Sequence, residues 1–243
     1  MDFTLDDDQV ELKQAAHAWL ADRFPLDRDW ENQDDRWGEL EELGWLDVAE
    51  AGLGFVEEAL LLEELGYVCY PGFYLGHVAS VSGDGDVATV DPTRRFHTVE
   101  ETPRFRAAAA AEALGVAQRA LDLGVEHATT RIQFGKPIGT YQAVSHPLAQ
   151  SYTDVELARS LVYWAAWCVA EDDERAALAA AAAKAFATEA AVAACERSIQ
   201  VHGGIGFTWE HPLHRFYKRA LWLEGLGARP PELRLEVADT LLA

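Results

Sequence analysis

A chain of 243 residues in which 49% of side chains are apolar can fold as one or two domains around a sizeable core. Its formal charge of -21, from 41 acidic and 20 basic residues, excludes a general nucleic-acid binder, which needs a basic stripe to displace counterions. The three cysteines, Cys69, Cys168 and Cys195, have no metal-ligand spacing, so no metal site is expected and they read as buried thiols of a reducing compartment. The N-terminus lacks the basic start and apolar run of a signal peptide, and no apolar segment is read as reaching membrane-spanning length without charges. The expectation is a soluble, cytoplasmic protein without a membrane or nucleic-acid partner.

In chain order, Thr4 followed by Asp6, Asp7 and Asp8 is a helix start, since oxygen side chains accept the free backbone N–H groups there. Val10, Leu12, Ala16, Trp19 and Leu20 continue an apolar stripe that Phe24-Pro25 stops. A second helix is expected over 35–43 with Gly44 as its C-terminal glycine, and a third over 55–65 ending at Gly66. The carboxylates of that third helix, Glu57, Glu58, Glu63 and Glu64, are expected to face water. Residues 1–76 thus form an N-terminal helical domain. Residues 77–103 are a linker, or a hairpin with strands at 87–90 and 96–99, too short for a core of its own.

From Pro103, well placed in a first turn, a long helix runs to about Arg131. A second long helix covers about 143–170, with Pro147 awkwardly inside it, so that it starts at Ser145 or kinks there. A third, alanine-rich helix runs from Glu174 to about Val201, and its thin faces suit close helix packing. His202-Gly203-Gly204-Ile205-Gly206 ends it, a last main helix starts near Pro212, and Arg229-Pro230-Pro231 precedes a short tail helix. Residues 104–243 are therefore a helical bundle, and the chain as a whole is all-α.

The stretch between the first two bundle helices, Arg131-Ile132-Gln133-Phe134-Gly135-Lys136-Pro137-Ile138, carries a fixed cation, an aromatic ring and glycine in a loop suited to a polyphosphate and a flat ring. It resembles the most specific motif of the acyl-CoA dehydrogenases, together with Tyr141-Gln142-Ala143-Val144. Three more stretches are similar to that family in the right order: 37–45, the glycine motif from Ile199 to Thr208 with Glu210, and 214–220. The resemblance implies an N-terminal helical domain, a middle β-domain, a C-terminal four-helix bundle and FAD, with an acyl-CoA losing an α-proton to a glutamate and a β-hydride to the flavin.

Two departures qualify it. The middle β-domain is reduced to a short linker or hairpin, so the wall over the flavin ring has no counterpart. The base is unassigned: Glu224, in Leu223-Glu224-Gly225, sits in a short register, and an alternative family position falls at about Phe105, with Glu112 two turns further on. Each glutamate reads first as a structural carboxylate, Glu224 at a helix end and Glu112 partly exposed on its helix. What the resemblance does carry over is the contact made to a neighbour's flavin: Arg131 on the pyrophosphate, Gln133 adding a polar contact, Phe134 by the adenine, and Gln200 with the backbone at Gly203 and Gly204 near the ADP half. A hetero-oligomeric acyl-CoA dehydrogenase follows, with this chain lending the ADP half of the flavin site to a second subunit. A homodimer, a repurposed stand-alone enzyme using Glu112, Glu224 or His202, and a non-catalytic stabilising partner stand as alternatives.

Overall fold

The computed structural model describes residues 4–48, 51–72, 74–80 and 101–243. The strands expected at 87–90 and 96–99 lie outside them. Four helices come first: α1 (Asp7–Arg23), α2 (Trp37–Glu42), α3 (Phe55–Tyr67) and α4 (Tyr74–Ser80). The last was not foreseen. Helix α1 starts two residues later than Thr4 suggests, because Asp6 and Gln9 cap each other: Gln9 N–H donates to Asp6 Oδ1 at 2.8 Å, and Asp6 N–H to Gln9 Oε1 at 3.2 Å. Gly44 takes φ +73° after α2, as a C-terminal glycine does.

The body consists of α5 (Pro103–Thr130), a two-stranded hairpin of β1 (Ile132–Gln133) and β2 (Lys136–Pro137), a 3-10 turn Ile138–Thr140, α6 (Gln142–Ala170), α7 (Ala176–His202), a 3-10 turn Gly203–Phe207, α8 (Leu213–Gly225) and α9 (Pro230–Leu242). The all-α expectation holds. Helix α5 opens on Thr102, whose Oγ accepts from Phe105 N–H at 3.1 Å, with Pro103 behind it where no N–H is needed. Pro147 neither starts nor ends α6, which begins at Gln142. It lies in the second turn, where the carbonyl it orphans belongs to exposed Ala143 and can be met by water.

Helix α7 is central, packing against α5, α6, α8 and α9. Ala179, Ala180, Ala183, Ala187, Ala191 and Ala194 are almost wholly buried, and Ala107–Ala111 of α5 are equally so. By length and composition alone Ala176–Phe207 could cross a membrane. The segment carries Lys184 and Glu189, so it is not free of charges, and its apolarity has a plain cause: a helix enclosed on most sides by others needs apolar residues nearly all round.

Helices α3 and α5 meet backbone to backbone. A Cβ on Gly115 of α5 would lie 1.8 Å from the Glu63 carbonyl oxygen, and one on Gly66 of α3 would lie 2.1 Å from that of Glu112. Gly66 therefore does not end α3 as expected. It sits within the helix at a crossing only glycine allows. The α3 carboxylates are a second correction. Glu58, Glu63 and Glu64 are buried, because cations on other helices meet them. Glu63 accepts from Lys13 Nζ at 2.7 Å and from Tyr163 Oη at 2.8 Å, and pairs with Arg159. His17 Nδ1 lies 2.7 Å from Glu64, and Arg104 pairs with Glu58. Burial pushes the Glu58 and Glu64 carboxyls up despite these partners. Cys168 and Cys195 are buried as expected, while Cys69 is half-buried.

Candidate functional site

At the C-terminal end of α5 the chain makes a tight reversal. Ile132 pairs with Pro137 and Gln133 with Lys136, leaving Phe134-Gly135 as a two-residue loop. Both take positive φ, +52° and +80°, the geometry that matches a hairpin's right-handed twist. Glycine adopts it freely, but an aromatic residue there is strained by about 1–2 kcal/mol. The Phe134 ring is 91% exposed, touched edge-on by Tyr141 at 6.4 Å between centroids. Lys136 Nζ lies 4.3 Å from the centre of the other aromatic, Tyr141. Beneath the hairpin, Gly139 rests on α5, where a Cβ would come within 3.0 Å of the Ala128 carbonyl. Backbone strain and an exposed ring, held on a rigid helix end, suit a surface that receives something flat.

The glycine motif arrives at the same end. Helix α7 stops at His202, whose Nδ1–H donates to the Ser198 carbonyl at 2.8 Å. Gly203 turns the chain at φ +64°, and nothing lies within 4 Å of the Cβ that either Gly203 or Gly204 lacks. The His127 ring, in the last turn of α5, stacks on that of His202 at 4.2 Å, which ties the two helix ends together. Arg131, Gln133, Phe134, Gln200 and Gly204 are all exposed, and Gly203 partly so. Among the described residues Arg131 pairs with no carboxylate. The six positions proposed for the cofactor thus emerge on one end of the bundle. From sequence this stretch reads only as a loop; the signal for a hairpin is Phe-Gly flanked by residues able to pair.

The two candidate carboxylates lie elsewhere. Glu112 is buried rather than partly exposed, and its Oε1 accepts from Arg219 at 2.5 Å. Along α5 it lies roughly 28 Å from Arg131, at about 1.5 Å per residue. Its carboxylate is committed to that internal ion pair rather than turned toward the hairpin. Glu224 is half-buried near the end of α8, roughly 16 Å along the helix from Leu213 at about 1.5 Å per residue. Burial, then repulsion from Glu189 and Glu196 of α7, pushes its carboxyl up.

Around that end the chain is tied down. Lys184, fully buried, donates to the carbonyls of Leu226 and of Ala228, the latter at 2.9 Å, and burial lowers its ammonium to about 8. Glu101 accepts from Ala228 N–H. Phe105 is wholly buried, with Lys184 Nζ 5.6 Å from its ring centre.

Residues 98–227 match the model of the acyl-CoA dehydrogenase C-terminal domain. The acyl-CoA dehydrogenase IpdE2 of Mycobacterium tuberculosis is 44% identical over 164 residues, 62% of this chain and 50% of that protein. The probable acyl-CoA dehydrogenase YngJ of Bacillus subtilis is 39% identical over 154 residues, 63% of this chain and 40% of its own. The chain thus spans about half the length, or less, of the curated relatives it matches. Among solved structures, a chain of the ChsE4–ChsE5 complex from Mycobacterium tuberculosis superposes with a TM-score of 0.81 at 22% identity, covering 100% of this chain and 99% of that one. A chain of the Tcur3481–Tcur3483 steroid ACAD gives 0.80 at 23% identity, covering 98% and 99%. These likenesses establish the fold, and the matched domain model, which takes in both the hairpin and the glycine turn, establishes kinship: the chain belongs to the acyl-CoA dehydrogenase family.

Proposed function

We propose that this chain is one subunit of a hetero-oligomeric, FAD-dependent acyl-CoA dehydrogenase, and that it lends the ADP half of the flavin site to a partner subunit. One observation carries the reading: Arg131, Gln133, Phe134, Gln200, Gly203 and Gly204 lie together, outward-facing, at one end of the bundle, while both candidate bases lie far along their helices from it. The donor set suits a dinucleotide. A planar guanidinium can hold two pyrophosphate oxygens by paired charge-assisted bonds. The amides of Gln133 and Gln200 can meet ribose or phosphate oxygens. The open backbone at Gly203 and Gly204 allows approach without a Cβ in the way. When bound, FAD supplies the hydride acceptor. This chain's residues grip and orient its ADP end, and the partner supplies the base and the enclosure of the reactive ring.

The membership of related folds in two-component assemblies supports the partner, since the ChsE4–ChsE5 complex and the Tcur3481–Tcur3483 enzyme are named as such. The Glu112–Arg219 pair weighs against a stand-alone enzyme that uses Glu112 as base. The test is Arg131→Ala in the co-purified complex, with flavin measured by absorbance against protein. Loss of a charge-assisted pair, about 1.5–3 kcal/mol, predicts FAD bound about 10- to 100-fold more weakly. Unchanged flavin retention would overturn the reading in favour of a stabilising partner.

A further inference from the structure

Two histidines end the helices that carry the candidate site, and a third follows it. His127 lies in the last turn of α5, one turn before Arg131, and His202 closes α7 directly before Gly203. His211 lies between the second 3-10 turn and α8. The rings of His127 and His202 stack at 4.2 Å with planes 28° apart, and the His211 ring lies 4.3 Å from that of His202, tilted by 51°. Three imidazoles in a row are compatible when all are neutral. Hydrogen bonds fix the proton positions of two of them. His202 carries its proton on Nδ1, which donates to Ser198, and His211 Nδ1 accepts from Leu213 N–H at 3.3 Å, leaving its proton on Nε2.

The charges around the stack favour neutrality on balance. From the hairpin, the Arg131 guanidinium acts on His127, and from α8, His214 acts on His211. His214 is itself flanked by Lys218 and Arg215. Glu126 of α5 opposes them, acting on His202, while Leu148 of α6 adds only apolar bulk beside Ser198. Burial is the leading effect, and it holds His127, His202 and His214 below the ordinary 6.5 and His211 at about 4.

We propose that His127, His202 and His211 form an acid-sensitive clasp that fixes the spacing between the Arg131 hairpin and the Gly203–Gly204 turn, and that opens when a proton enters the stack. The three are positioning residues, acting through the segments they join. The value of the clasp to the enzyme rests on the flavin-site reading above, but the clasp itself does not. The sign of the pH effect follows from the lowered values. Between 6.5 and about 4 an opened chain takes up protons that the closed stack refuses. Closure is complete above pH 6.5 and is lost progressively as pH falls through that window.

Hydrogen exchange of the full chain without added flavin, with labelling times scaled for intrinsic rates, tests this at pH 7.5 and pH 5. Peptides covering 126–141 and 200–212 are expected to lose protection at least 10-fold more than those covering 107–121. In His127→Gln and His211→Gln variants the pH-dependent part of that loss shrinks at least threefold. Equal pH dependence in wild type and both variants, or none in wild type, overturns the clasp. Proton NMR titration offers a second measure that does not depend on the variants: histidine C2–H signals titrating independently near 6.5 would also overturn it. Neither readout involves flavin, so failure here is distinct from failure of the Arg131→Ala test.

Discussion

The two ends of the bundle are built on opposite principles. Where α5 begins and α8 ends, several charges are spent internally: Glu112 on Arg219, Glu58 on Arg104, and Lys184 on the carbonyls of Leu226 and Ala228, while Glu224 sits half-buried against the like charges of Glu189 and Glu196. Where α5 and α7 end, the charges and rings face outward: Arg131 lacks a carboxylate partner among the described residues, Phe134 is almost fully exposed, and two glycines leave backbone open. A closed end adds stability and fixes shape. An open end holds unspent interactions for something outside the chain. The comparison teaches that the motifs proposed for the cofactor do not distribute evenly over the molecule: they gather at the end whose charges and rings face outward, and the two candidate carboxylates lie away from it.

The largest effect should come from breaking the closed end. Arg219→Met leaves a buried carboxylate unpaired and should cost about 3–5 kcal/mol in urea unfolding. The double replacement Arg219→Met, Glu112→Leu should recover most of it, and a double variant no better than the single would show that the pair does more than balance charge. Next, Gly115→Ala places a methyl against the Glu63 carbonyl and should lower stability by about 1–3 kcal/mol, with a parallel fall in melting temperature. At the open end, Arg131→Ala should change melting temperature little while flavin retention in the complex drops. A comparable loss of stability would blur the contrast between the ends. Phe134→Gly releases the strained turn at some entropic cost, a net gain of about 0.5 kcal/mol, and should weaken flavin retention. Smallest of all, Glu224→Gln removes repulsion from Glu189 and Glu196 and should stabilise by a few tenths of a kcal/mol, about the size of a like-charge helix pair. Complex activity that survives this change would separate Glu224 from the chemistry.

What could be read from sequence was local. The Phe-Gly loop, Thr102-Pro103 and the glycine after α7 act within a few residues, so their patterns are visible in a line of text. The helices of the bundle followed from periodicity, and the cofactor motif from short contiguous runs. What could not be read was pairing at a distance. Nothing beside Glu63 announces Lys13, Arg159 and Tyr163, so a buried carboxylate looked like a solvated one. Glu112 and Arg219 find each other only once α5 and α8 are packed. The histidine stack joins residues from three separate segments, and each taken alone reads as an ordinary hydrogen-bonded or surface histidine.

Gly66 and Gly115 bear on how such a chain could arise at all. Their contact joins the front helices to the bundle directly, through backbone atoms of α3 and α5, with no need of whatever lies between residues 80 and 101. A joint of that kind lets the intervening segment vary in length without parting the two sides. On the proposed function, a change of length there would alter what the molecule encloses while this contact stays made, a route from a self-sufficient catalyst to a dependent one that keeps α3 packed on α5.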